Sequence, residues 1–158
     1  SRPNESVQAE WVEFDLDKAL WTIPARRMKA RREHVVPLPT QAVELLKAMH
    51  PITGHTKFVF PNRDDRQRPM ADAALRQALK KLGWATKYSP HGTRTTGSTR
   101  LNEMGYRPDA IEAQLAHAEP NSVRRTYNHD TYLDERRVMM QDWAEKLESW
   151  KVAAQERN

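Results

Sequence analysis

The strand-forming signals of this sequence are concentrated between residues 11 and 39. Three short segments there alternate aromatic or β-branched residues with polar ones: WVEFDL (11–16), ALWTIP (19–24) and EHVVPLP (33–39). This alternation is typical of strands that bury one face. Asp15 to Lys18 would form the first turn and the basic run 25–32 the second, so the segments predict a small twisted antiparallel ribbon. The prolines of EHVVPLP end the third strand, because proline cannot donate to a strand ladder.

Helical patterns fill most of the rest of the chain. Thr40 is a suitable N-cap for the apolar stripe of QAVELLKAMH. Gly83 and Gly105 are suitable helix stops, and Pro108 is a suitable first helical residue. Between Thr40 and Gly83, a loop carries one small strand at Phe58 to Phe60. The further helices are predicted over MADAALRQALKKLG, HGTRTTGSTRLNEMG, PDAIEAQLAH, a segment capped by Asn121 or Ser122 that carries Tyr127, and residues 133 to about 153.

The combined pattern predicts one domain over residues 1–158, of the α+β class and mostly α-helical, with a small three-stranded antiparallel sheet. The sequence has no cysteine, which excludes a disulfide framework and a Cys-ligated metal site. No apolar run approaches the roughly 20 residues that cross a bilayer, and no signal peptide begins the chain. These features favour a soluble intracellular protein or a fragment of one.

Positive charge is clustered along the chain. Lys and Arg number 26 against 21 Asp and Glu, and the net charge of +5 says little by itself about partners. Residues 25–36 carry five cations against one glutamate, and NSVRRTYNH adds two more. A solvated face is the ordinary interpretation of such a run, but two runs beside candidate catalytic residues favour a polyanion. The cations predicted to bind DNA are Arg26, Arg27, Arg31, Arg32, Arg124 and Arg125.

A set of polar side chains matches what DNA cleavage without a metal would require. His91 and Arg94 lie three residues apart, so both fall on one helical face, and His117 and Tyr127 follow. A tyrosine nucleophile has a pKa of about 10 and needs help to lose its proton. Arginine forks suit the charge on the phosphate oxygens, and histidines move protons near neutral pH. A lysine in a hairpin, such as Lys29, could protonate the departing sugar oxygen.

The order of these motifs resembles the catalytic domain of tyrosine recombinases, the phage-integrase family, and most closely the integrases of satellite prophages and genomic islands. SRPNE is similar to the family's Arg-x-x-Glu segment, WTIPARRMKARREHVVPLP to the subfamily's hairpin, and HGTR to His-x-x-Arg. LAHA stands where many members have Leu-Gly-His, and YNHDTYLDERRVMMQDWAEKLE is similar to the nucleophile segment and C-terminal helix. The catalytic residues that the resemblance implies are Arg2, Lys29, His91, Arg94, His117 and the nucleophile Tyr127.

The resemblance implies a site-specific recombinase or integrase for prophage or genomic-island integration and excision. Tyr127 would form a 3′-phosphotyrosyl link to DNA without any metal or other cofactor. The implied partner is double-stranded attachment-site DNA, bound by a homotetramer whose C-terminal helices dock on neighbouring protomers. No membrane is implied, and the location would be the bacterial cytoplasm at the nucleoid. Because the family has a core-binding and often an arm-binding domain before its first arginine, the chain is expected to be truncated at its N-terminus.

Several alternatives stay open at the level of sequence. A type IB topoisomerase shares the chemistry, and a non-catalytic DNA-binding remnant would share the charge. Tyr132 is a rival nucleophile, Lys29 could contact phosphate without acting as an acid, and His117 could be a core histidine. The chain also departs from the family pattern in two places. Tyr127 lies ten positions after His117 where nine is common, and Ser6 stands where leucine is usual.

Overall fold

The computed structural model describes residues 1–116 and 132–156, and within them it combines one three-stranded sheet with six α-helices. The strands are β1 (Phe14–Asp15), β2 (Leu20–Ile23) and β3 (His34–Pro37). The helices are α1 (Pro3–Val7), α2 (Thr40–Thr53), α3 (Ala74–Lys81), α4 (Gly92–Glu103), α5 (Pro108–Leu115) and α6 (Leu133–Gln155). Two short 3-10 turns, Trp11–Glu13 and Ala25–Arg27, flank the sheet. The predicted α+β class with a small antiparallel sheet is therefore confirmed.

The sheet is the predicted antiparallel ribbon, with strand order β1-β2-β3. Trp21 of β2 lies opposite Phe14 on one side and Val36 on the other. The first turn closes where the backbone N–H of Lys18 donates to Asp15 Oδ1 at 2.9 Å. The strands are shorter than predicted, because Trp11–Glu13 forms a 3-10 turn closed by the Glu13 N–H on the Glu10 carbonyl at 3.0 Å.

Two apolar clusters lie side by side in the fold. The first is built on the ribbon and consists of Ala9, Trp21, Ile23, Met28, Val36 and Val59. The second joins α4, α5 and α6 and consists of Leu101, Ile111, Leu115 and Met139. No helix among the described residues is long and apolar enough to cross a membrane. The second cluster fixes the relative positions of the helices that carry the candidate site.

The predicted helix ends are confirmed where glycine decides them, and two other local predictions are wrong. Gly83 and Gly105 both take positive φ angles, +76° and +84°, just after α3 and α4. Thr40 is the first residue of α2 and makes no capping bond; instead its N–H and hydroxyl donate to Gln141 Oε1 at 2.9 and 3.2 Å. Phe58 forms a single bridge to Glu10 in place of the predicted strand. The predicted helix carrying Tyr127 lies outside the described residues.

A buried polar cluster joins the sheet to the helices. Arg136 of α6 is 4% exposed and donates to Gln114 Oε1 at 2.8 Å and to the Val35 carbonyl at 2.6 Å. His34 Nε2 lies 3.2 Å from the Gln114 carbonyl. A carbonyl only accepts, so this nitrogen carries the proton of a neutral imidazole. Burial first, and then the positive charge of Arg136, lower the pKa of His34 to about 4.

Because of this low pKa, His34 should make the protein less stable in mild acid. The unfolded chain binds a proton at the ordinary histidine pKa of about 6.5, whereas the folded protein binds it only near pH 4. Stability should therefore fall as the pH drops from 6.5 to 4, by about 2 to 3 kcal/mol at pH 4.5. Urea titrations at pH 7.5 and 4.5 measure the free energy of unfolding. Between these two pH values, His34→Gln should lose about 2 to 3 kcal/mol less than the wild-type protein. Equal losses in the two proteins would contradict the assignment.

Candidate active site

An open groove of about 320 Å³ lies between the start of α1, the first half of α4 and the end of α5. Its lining residues are Arg2, His91, Arg94, Thr95, Ser98, Thr99 and Leu115. Three of the six predicted catalytic residues, Arg2, His91 and Arg94, thus meet in one place although 92 positions separate the first from the last. Among the described residues, the lining is rich in hydrogen-bond donors and contains no carboxylate, which is the chemistry of an anion site.

The entry to α4 sets the direction of its first two functional side chains. The Ser89 hydroxyl accepts the Gly92 N–H at 3.1 Å, and the Thr93 hydroxyl donates to the Pro90 carbonyl at 2.6 Å. Ser89 and Pro90 therefore form the entry to α4. His91 follows at the exposed rim, and Arg94 lies one turn further on the same side of the helix.

Arg94 is the most deeply placed cation of the groove. Its residue is only 8% exposed, and Nη2 donates to the Leu115 carbonyl at 2.7 Å. Within the described part of the chain, the buried Nη1 has no hydrogen-bond partner. Burial, followed by the positive charge of Arg2, lowers the pKa of Arg94. A buried donor without a partner costs about 1–3 kcal/mol, and a bound anion would remove that cost.

Arg2 is held in place by a buried carboxylate. Its Nη1 donates to Glu5 Oε1 at 2.9 Å, and its backbone N–H donates to Glu5 Oε2 at 2.5 Å. Glu5 is 5% exposed, so the pair is shielded from water on the carboxylate side. Sequence reasoning treated Glu5 only as part of a motif. The signal for its role was its position three residues after Arg2, where side chains of one helical turn meet.

The hydroxyl face of α4 was missed by sequence reasoning. Thr95, Ser98 and Thr99 line the groove one, four and five positions after Arg94. This spacing places all four side chains along one side of a helix, so it could have been recognised from the sequence. Hydroxyls donate hydrogen bonds to phosphate oxygens, and they add neutral donors to the two guanidinium groups.

The basic hairpin lies between β2 and β3, and its cations differ sharply in exposure. Lys29, Arg31 and Arg32 are exposed in the turn, and Lys29 is not among the residues that line the groove. Arg26 is also exposed and lies 3.5 Å from Glu10. Arg27 is the exception to the prediction of a DNA-facing run, because its side chain is only 9% exposed and forms an ion pair inside the fold. A DNA contact by Arg27 stays a prediction.

Four of the predicted site residues, His117, Arg124, Arg125 and the nucleophile Tyr127, lie outside the described residues. The last residue before them is Ala116, which ends α5 with a φ of +51°. This left-handed conformation favours glycine and costs an alanine about 1–2 kcal/mol. It falls at the position where the resembling family commonly has the glycine of Leu-Gly-His.

The family that this chain matches and two of its relatives are described as integrases. Residues 1–133 match the family described as the phage integrase family. Prophage integrase IntA of Escherichia coli strain K12 is 44% identical over 149 residues, which is 94% of this chain and 36% of IntA. The integrase of Shigella phage Sf6 is 43% identical over 93% of this chain and 38% of its own. The chain therefore spans little more than a third of the length of these relatives.

The solved structure of XerA recombinase has a similar fold. It superposes with a TM-score of 0.63 over 85% of this chain and 51% of its own, at 21% sequence identity. The overall fold is therefore shared with a solved recombinase structure.

Proposed function

This chain belongs to the phage integrase family, and on that premise we propose that it is the catalytic domain of a site-specific DNA recombinase. The enzyme cleaves and rejoins DNA strands through a 3′-phosphotyrosyl intermediate, for prophage or genomic-island integration and excision. The observation that carries the proposal is the groove in which Arg2, His91 and Arg94 meet. Two guanidinium groups and a histidine around one space suit one backbone phosphate of DNA.

The two arginines bind the non-bridging oxygens of the scissile phosphate. Arg94 offers Nη1, which has no hydrogen-bond partner in the part of the chain that the structure describes, while the contact of Nη2 to Leu115 keeps the guanidinium in one orientation. Arg2 is oriented by Glu5 in the same way. Burial first, and then repulsion by Arg2, lower the pKa of Arg94, and an anion between the two cations relieves that repulsion. Their attraction for the phosphate grows in the transition state, where more charge gathers on those oxygens.

The chemical step exchanges one phosphate ester for another. The Tyr127 oxygen forms a bond to phosphorus, and the bond from phosphorus to the 5′ oxygen breaks. His91 and His117 assist the loss of the phenol proton and bind the phosphate, while Lys29 gives a proton to the departing 5′ oxygen. The new ester keeps the free energy of the old one, so rejoining needs no ATP.

The same proposal includes binding of DNA outside the groove and association of several protomers. The exposed cations of the hairpin, together with Arg124 and Arg125, neutralise backbone phosphates of attachment-site DNA, so binding weakens with salt. Four protomers act together on two duplexes, with α6 docking on a neighbour. Exposed apolar side chains on the second half of α6 support that docking, namely Leu147, Trp150 and Val152. The protein acts in the bacterial cytoplasm, at the nucleoid.

Covalent capture tests the proposed function. The full-length protein is incubated with a nicked suicide DNA substrate in EDTA without ATP, and we expect a protein–DNA adduct on a denaturing gel. Efficient relaxation of supercoiled DNA without recombinant products would instead favour a type IB topoisomerase. Salt-sensitive DNA binding with no adduct under any condition would favour a non-catalytic remnant.

A further inference from the structure

We propose that Arg27 is a positioning residue for the proton donor Lys29, because it fixes the base of the hairpin against α1, the helix that directly follows Arg2. The inference rests on the proposed function, since it assumes that Lys29 protonates the leaving oxygen. It gives Arg27 a role distinct from the DNA contact that its place in a basic run suggested. Its basis is a set of contacts that links the two sides of the site.

Arg27 differs from its neighbours in burial and in partners. Its side chain is 9% exposed, against 66% for the adjacent Arg26. One guanidinium nitrogen forms an ion pair with Glu13, and the other donates to the backbone carbonyl of Glu5. Both terminal nitrogens of the guanidinium are therefore bound inside the protein, and the two separate acceptors fix its orientation.

The Glu13 carboxylate requires this cation. It is only 3% exposed at the side chain, and its Oε2 also accepts the indole N–H of Trp21 at 3.0 Å. A buried carboxylate without a cationic partner is strongly unfavourable, so the pair keeps Arg27 in place. Trp21 belongs to β2 and is buried in the first apolar cluster. The ion pair is thus anchored to the buried core of the ribbon.

Glu5 connects Arg27 to the phosphate site. Its carboxylate orients Arg2, while its carbonyl accepts from Arg27. Near a helix C-terminus such carbonyls lack partners within the helix. Ala9 follows Glu5 by four positions, so its N–H could have closed a helical hydrogen bond on the Glu5 carbonyl. It donates instead to the Ser6 carbonyl, at 3.2 Å. One residue therefore holds an arginine of the groove with its side chain and the hairpin with its backbone.

Lys29 begins the free part of the hairpin directly after these contacts. Met28, between Arg27 and Lys29, is 4% exposed and belongs to the first apolar cluster. The chain is fixed at both residues and becomes exposed at Lys29. Consecutive Cα atoms are about 3.8 Å apart, so the Cα of Lys29 lies within about 7.6 Å of that of Arg27. Loss of the Arg27 contacts should therefore displace the ammonium group while leaving the arginines of the groove bound to phosphate.

A sulfur substitution separates proton donation from every other step. With sulfur replacing the bridging 5′ oxygen of the scissile phosphate, the leaving group is a thiolate, whose conjugate acid has a pKa of about 8.5 and which departs without a proton. Arg27→Lys keeps a charge for Glu13 but presents a single nitrogen, which cannot replace the two-nitrogen fork. The double variant Arg27→Met with Glu13→Gln removes the buried charges together and leaves an amide oxygen for Trp21.

We expect both Arg27 variants of the full-length protein to cleave the oxygen substrate about 10- to 100-fold more slowly than wild type. They should cleave the sulfur substrate within about threefold of the wild-type rate, as should Lys29→Ala, because that substrate bypasses the acid. Lys18→Met, in the exposed first turn of the same ribbon, is the matched control and should leave both rates unchanged.

The rates on the oxygen and sulfur substrates distinguish the possible outcomes. Equal losses on the two substrates would show that Arg27 acts on the fold or on DNA binding, and would overturn the inference. Unchanged cleavage of the oxygen substrate would overturn it as well. If wild-type protein gave no adduct with either substrate, the proposed function would fail together with this inference.

Discussion

Replacing Tyr127 with phenylalanine should abolish the covalent protein–DNA adduct. The substitution removes one oxygen, the atom proposed to form the bond to phosphorus, and leaves the ring. Loss of a nucleophile typically lowers the rate by at least about 10⁴-fold, because no neighbouring group takes its place. Binding of attachment-site DNA should be retained, since a neutral phenol contributes no net charge to it. The measurement is adduct formation with a nicked substrate, followed over hours on denaturing gels.

Tyr132→Phe is the matched control for this prediction. Tyr132 immediately precedes α6, has a φ of +91°, and lies under the Arg107 guanidinium, 5.0 Å from its carbon to the ring centroid. Phenylalanine keeps the ring for this cation–π contact, so adduct formation should stay within about threefold of wild type. An adduct that persists in Tyr127→Phe and disappears in Tyr132→Phe would reverse the assignment of the nucleophile.

Arg94→Lys should lower the rate of strand cleavage by about 10²- to 10³-fold, the usual effect of removing a donor that stabilises transition-state charge. Lysine keeps the positive charge but offers one nitrogen in place of a planar fork. It cannot contact the Leu115 carbonyl and a phosphate oxygen in the geometry that the two Arg94 nitrogens provide. The loss should appear in the cleavage rate at saturating DNA, because the contact strengthens as charge develops on phosphorus.

Arg100→Met is a suitable control, because Arg100 lies on the same helix, is exposed and pairs with Glu103 at 2.7 Å. An exposed ion pair contributes little to stability, so this variant should cleave DNA at nearly the wild-type rate. Single-turnover cleavage with saturating protein measures both variants. A cleavage rate within about threefold of wild type for Arg94→Lys would remove Arg94 from the phosphate site.

The parts of the fold that depend on local pattern were predictable. The ribbon follows from alternating residues in β2 and β3, and the ends of α3 and α4 follow from Gly83 and Gly105. The pairing of His91 with Arg94 on one helical side follows from a spacing of three. Each of these features is set by residues within a few positions of one another, so the sequence of a short segment is enough to predict it.

The features that could not be predicted depend instead on residues that are far apart in the chain. Thr40 was predicted to cap its helix through its own side chain, but its partner is Gln141, 101 positions away. The basic run does not indicate that Arg27 pairs inside the fold with Glu13, a buried carboxylate of another element. The contact of Glu5 with the hairpin could not be predicted, because its carbonyl accepts from the guanidinium of Arg27, 22 positions away. In each case the decisive group is distant in sequence.

By itself, the sequence determined most of the element types, the helix ends marked by glycine, the kinds of chemical groups available and the family to which the chain belongs. The tertiary structure decided which of those groups meet. Arg2 and Arg94 become parts of one groove only because α1 and α5 are held against α4, and only burial separates Arg27 from Arg26. Periodicity and propensity act between near neighbours, whereas burial and charge pairing depend on distances in space, which a linear order of residues does not contain.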